Sequence, residues 1–122
     1  MNLAVPFNIP LVGQADADAV RTIQFPFGVM ITAVTVQPDA FTGTPTGFTV
    51  DLNVDGDATD VAALAANTAG TVVHWLTKHH QGDDEVIRVA KNTDVTLDVN
   101  LAGGTSPTVD GIVTLWFIQG TV

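Results

Sequence analysis

The chain contains no cysteine. Neither a disulfide framework nor a thiolate metal site can therefore hold it together, and redox compartment leaves no mark on it. Cations are nearly as scarce. Arg21, Lys78, Arg88 and Lys91 are the full complement among 122 residues, and the net charge is −9. A nucleic-acid partner requires clustered Lys and Arg to displace counterions from phosphates, so that class is excluded as the expected function. Serine occurs once, as Ser106 before Pro107. No Gly-x-Ser-x-Gly elbow, phosphate loop or dinucleotide fingerprint is present, and no enzyme is expected. No stretch approaches the roughly 18 apolar residues of a membrane span. The segment from Met1 to Val12 lacks a basic leader, and Pro6 and Pro10 interrupt any helix there, so it does not read as a signal peptide.

What the sequence does have is β-branched and apolar residues in alternation. Charged residues make up only 14% and Val and Thr recur throughout, which favours an ordered all-β domain. In Gly47–Asp55, Phe48, Val50, Leu52 and Val54 share one side of an extended strand, and Thr49, Asp51, Asn53 and Asp55 share the other. Successive strand side chains point to opposite faces, so this segment has a dry face and a wet one. Asp55-Gly56 follows as a hairpin turn, because both residues tolerate positive φ. Val95, Leu97, Val99 and Leu101 alternate in the same way with Thr96, Asp98 and Asn100. The core is expected to be built on these two strands.

Along the chain, residues 1–19 read as an extended N-terminal arm and connector, and 20–122 as a β-sandwich domain. The two prolines of the arm remove donors and predict a position at a sheet edge or against another surface. Val29–Gln37 is apolar on both faces, which predicts either two-sided burial or a bulge that switches faces. Asp57–Ala69 is read as a strand, the hairpin partner of 47–55, although Val61, Leu64 and Ala65 also have helical spacing. Further strands are expected over 70–77, 85–90, 94–101 and 109–119. The sum is an all-β, antiparallel, jelly-roll-like β-sandwich of about eight strands.

Three candidate sites are weighed by their chemistry. Asp51-x-Asn53-x-Asp55-Gly56-Asp57 matches the first half of an EF-hand loop, but the twelfth position, where that loop needs Glu, is Ala62. His79 and His80 are adjacent and would point oppositely on a strand, and His74 sits between apolar neighbours, so no shared metal face results. Asp83, Asp84 and Glu85 lie beside Gly82 in a polar turn, without the desolvation that raises a catalytic carboxyl. No metal, cofactor or catalytic residue is expected.

Apolar surface is more informative. Ile112-Val-Thr-Leu-Trp-Phe-Ile118 is apolar on both faces, and a two-layer sandwich covers only one. Leu3, Val5, Phe7, Ile9 and Leu11 form a continuous apolar edge on the arm. These five, with Ile112, Trp116 and Ile118, are the expected interaction residues. The arm is expected to cross to a neighbouring subunit or another protein, and the sandwich to stay folded when residues 1–12 are deleted.

Three stretches carry a resemblance. Phe25-Pro-Phe-Gly-Val-Met-Ile-Thr32 is similar to an opening "F-x-G-x-I" strand. Thr44-Pro-Thr-Gly-Phe-Thr-Val-Asp-Leu-Asn-Val-Asp-Gly56 resembles a "P-T-G-x-x-x-x-D-V-N-x-N-G" hairpin. Asp94–Asn100, Gly103-Gly-Thr-Ser-Pro107 and Val113-Thr-Leu115 resemble the closing strands. Together they look like the small β-sandwich domains of tailed-bacteriophage virion proteins, most of all head decoration (cement) proteins. The arm and Lys78-His-His80 depart from that pattern. The resemblance implies a non-enzymatic virion structural protein on the capsid exterior, assembled in the host cytoplasm. It also implies the major capsid protein as partner, homo-oligomerisation, and no role for nucleic acid, membrane or cofactor. A tail- or fibre-associated module binding host carbohydrate is the alternative it leaves open.

Overall fold

The computed structural model describes residues 4–55, 57–76 and 87–120. Among the described residues there are nine strands. They are β1 (Val5–Gln14), β2 (Ala17–Ile23), β3 (Val29–Thr42), β4 (Gly47–Val54), β5 (Asp57–Ala65), β6 (Val73–Leu76), β7 (Ile87–Val89), β8 (Val95–Ala102) and β9 (Thr108–Gln119). They form two antiparallel sheets. One runs β1-β9-β3-β6, with β7 also on β3, and the other runs β2-β8-β4-β5.

The order follows from folding one long ribbon. β4 pairs with β5, β3 with β6 and β7, β2 with β8 and β1 with β9, each pair nested outside the last. Rolling that ribbon brings β8 beside β4 and β9 beside β3. This is jelly-roll connectivity, so the all-β, antiparallel sandwich expected from the alternation is the observed fold. The tip of the ribbon lies at Asp55, where the chain turns from β4 into β5. Val54 pairs with Asp57 across it, and Asp55 has φ +53°.

The core lies between the sheets. Phe48, Val50, Leu52 and Val54 are buried, as are Val95, Leu97, Val99 and Leu101. They face each other in register, Phe48 with Leu101, Val50 with Val99, Leu52 with Leu97 and Val54 with Val95. From the other sheet come Val29, Ile31, Val34, Val36, Val109, Val113 and Leu115. The two-sided character of Val29–Gln37 is resolved by a bulge. Ile31 pairs with Phe117 but Ala33 with Trp116. The slip at Thr32 lets Val29 and Ile31 and then Val34 and Val36 all point inward.

Residues 5–14 and 17–19 are not an arm apart from the sandwich but strand residues of its two sheets, which corrects the expected boundary. Val5–Gln14 is a strand at the sheet edge, as the prolines require, but it pairs with β9 of its own chain. Ile9 and Leu11 are in the core, and Phe7 packs against it. The apolar edge of the segment covers Val113 and Leu115 in cis, because that burial is available within the chain. Residues 17–23, partly assigned to the connector, form β2.

At one end of the sandwich the β3–β4 and β8–β9 loops meet backbone to backbone. The Thr105 amide donates to the Gly43 carbonyl at 2.9 Å, and Thr46 donates to the Ala102 carbonyl at 2.8 Å. A Cβ on Gly104 would lie 2.1 Å from the Gly43 carbonyl oxygen. The two loop motifs, Thr44–Gly47 and Gly103–Pro107, are thus partners in space.

Candidate interaction surface

The two sheets present contrasting outer faces. On the four-stranded sheet the face carries Thr49, Asp51 and Asn53 of β4 beside Asn100, Asp98 and Thr96 of β8. Asn100 Nδ2 donates to Asp51 Oδ2 at 2.8 Å, and Asn53 Nδ2 donates to Asp98 Oδ2 at 2.9 Å. Asp98 Oδ1 also accepts the Ala19 amide at 2.7 Å. Close by, Asp16 Oδ1 accepts the Leu101 amide at 2.7 Å. The carboxylates here cross-link β2, β8 and β4. Asp94 and Asp110 behave alike, accepting from Gln24 Nε2 and from the Gly13 amide. Hydrogen-bonded in this way, they are structural acceptors on a solvated surface.

The outer face of the five-stranded sheet is different in kind. Alternation along β9 sends Val113 and Leu115 inward, leaving Ile112, Thr114, Trp116 and Ile118 outside. Opposite them on β1 stand Pro10, Asn8 and Pro6, and on β3 stand Gln37, Thr35, Ala33 and Met30. None of these residues is charged. Asp110 lies beyond one end, and Arg88, paired with Met30, stands at the other. Ile112 keeps 43% of its surface exposed, and Trp116 and Ile118 are half-buried by their neighbours. In the middle, Thr114 Oγ1 donates to Asn8 Oδ1 at 2.8 Å, so the polar pair within the patch satisfies itself.

Of the expected interaction residues, the fold brings Ile112, Trp116 and Ile118 together on this face. It sends Ile9 and Leu11 into the core and Phe7 against it. Val5 is half-exposed at the strand end, and Leu3 lies outside the described residues. Pro6 and Pro10, absent from the expected set, are the β1 residues that share the face. The signal for them was present in the alternation of the segment, which puts its even-numbered residues opposite its apolar ones.

Among the described residues the remaining candidates do not assemble a site. Asp51 and Asn53 lie on the wet strand face and Asp55 in the turn, while Gly56 is outside the described residues. His74 is exposed on β6, opposite Thr35. His79, His80, Asp83, Asp84 and Glu85 lie outside the described residues. Among the described residues no three His, Asp or Glu side chains converge as a metal site requires. A hollow lined by Phe41, Pro45, Thr46, Gly47, Phe48 and Asn67 offers about 20 Å³, room for a water and not for a substrate.

No protein-family model matches the chain, and no curated protein matches it. A chain of the solved capsid of Ralstonia phage GP4 is similar in structure, with a TM-score of 0.49 and 20% sequence identity. The match covers 100% of this chain and 86% of that one.

Proposed function

We propose that this chain is a non-enzymatic structural protein of a tailed-phage virion. In this reading it binds the outer surface of the capsid as a decoration or cement protein, with the major capsid protein as partner and its own copies associated around it. The observation that carries the proposal is the contrast between the two outer faces. Interface cores are depleted in charge and enriched in aromatics, while the surface left in water is polar. The Ile112–Trp116–Ile118 face has the first character and the Asp51–Asp98 face the second. Docking the first on a shell would leave the acidic sheet facing solvent, where it keeps decorated particles apart by like-charge repulsion. The resemblance of the hairpin and loop motifs points the same way. Jelly rolls serve in viral capsids and in lectins alike, so fold alone does not separate the two classes.

The test is add-back to particles lacking the protein. Wild-type protein should bind in numbers commensurate with the major capsid protein. Ile112→Asp/Trp116→Asp should fold but fail to bind, and Asp51→Asn on the opposite face should bind normally. Chelator should change neither binding nor melting temperature. Binding of a few copies only, or of glycan in place of shell, would move the protein to the tail and refute the decoration role.

A further inference from the structure

Among the described residues, β1 ends the five-stranded sheet and no strand pairs with its outer edge. Pro6 pairs with Trp116 and Pro10 with Ile112 in an unbroken antiparallel register from Val5 to Leu11. An antiparallel ladder alternates between pairs that exchange both N–H···O bonds and pairs that exchange none. Proline has no N–H, so the Pro6 and Pro10 pairs are of the second kind. The bonds to β9 come from Val5, Phe7, Ile9 and Leu11, and the backbone of Pro6, Asn8 and Pro10 points away from the sheet. Along that stretch the outward edge offers one donor, the Asn8 amide, where an ordinary strand would offer three.

We infer that Pro6 and Pro10 close the β1 edge to strand addition by a second copy of this chain. A free edge is a template for another strand, and a second copy supplies strands of matching length and pattern. Proline at outward positions removes the donors that such pairing needs without costing a bond to β9. The same two rings stand beside Trp116 and Ile112 on the uncharged face. Addition of a second copy at this edge is thereby blocked, and with it continuous growth through β1; β6, the other end of the sheet, is a separate edge. The inference about the edge stands on register alone. Its consequence for how the shell is contacted rests on the function proposed above.

The experiment uses the full chain in solution. Pro6→Val/Pro10→Val restores both donors, and strand propensity rises with them. The double variant should show a concentration-dependent increase in mass by light scattering, at least twofold over wild type, under conditions where wild type does not grow. In the wild type, Asn8→Pro should lower the melting temperature no further than Asn8→Ala, which loses the same side-chain bond to Thr114, because the Asn8 amide makes no ladder bond, whereas Val5→Pro should lower it well beyond Val5→Ala. Amide exchange supplies a check on the unmodified protein, with Asn8 fast and Phe7 and Ile9 slow. A double variant with the mass of wild type at every concentration would overturn the inference, as would an Asn8 amide protected like that of Ile9. Failure of add-back with the edge results intact would remove the decoration role and leave the closed edge standing.

Discussion

Asp51 and Asp98 stand directly opposite each other on β4 and β8, and each is held by an asparagine two residues along the other strand. Asn100 donates to Asp51 at 2.8 Å and Asn53 to Asp98 at 2.9 Å. Like charges directly opposite are destabilising in a sheet. The crossed amides bridge the diagonal positions and give each carboxylate a donor. The wet face of this hairpin is therefore a lattice of side-chain hydrogen bonds and not an array of free ligands.

Asp98 has the larger share of that lattice because it also takes the Ala19 amide, where Ala19 is held at φ +50° in a bulge of β2. Asp98→Ala should destabilise by about 1.5–3 kcal/mol, the range for lost hydrogen bonds to a charged group. Asp51→Ala loses one such bond and relieves the same repulsion, so its cost should be less than half as large. Urea unfolding of the two variants measures the difference, and equal midpoints would show that the β2 clip contributes nothing.

Leu97 is 1% exposed and faces Leu52, while Thr96 faces outward beside Asn53. Leu97→Ala should cost about 2–5 kcal/mol, as buried leucine truncations do. Thr96→Ala should stay within about 0.5 kcal/mol. A thermal shift for Thr96→Ala as large as that for Leu97→Ala would mean the register is displaced by one residue.

Deletion of residues 1–12 should abolish the cooperative melt instead of releasing a stable smaller sandwich. It removes Ile9 and Leu11 from the core and uncovers Val113 and Leu115 together with a full ladder on β9. Circular dichroism of the truncated chain is the measurement. A native-like melt would restore the independent arm that the sequence suggests.

Gly111 faces the bulge of β3, where a Cβ would meet the Gln37 carbonyl oxygen at 2.5 Å and Pro38 Cα at 2.9 Å. Neither atom can move without breaking the β3–β9 ladder. Gly111→Ala should therefore lower stability by about 1–3 kcal/mol, as overpacking does. Gly13→Ala meets nothing within 4 Å and strains only its φ of +53°, at about 1–2 kcal/mol. Relaxation of Gly111→Ala would be visible as weakened amide protection at Gln37 and its neighbours. Unchanged protection with unchanged stability would show that the contact is looser than its geometry.

Much of this was legible in the amino acids themselves. Period-2 alternation in Phe48–Val54 and Val95–Leu101 determined which side chains share a face, and Asp55-Gly56 determined where the ribbon turns back. The prolines determined that residues 5–14 lie at an edge, because a central strand would need their amides. Alternation is local, however, and carries no information about which distant strand supplies the partner. Val5 meets Phe117 across nearly the whole chain, so only the rolled ribbon decided that the apolar side of β1 is covered in cis. The same holds for β9, where both faces are apolar in sequence. The fold put Val113 and Leu115 inside and left Ile112, Trp116 and Ile118 outside, because the second sheet packs against one face only. Which strand is beside which, and which apolar face stays wet, are decided by the joint burial of strands far apart in the chain.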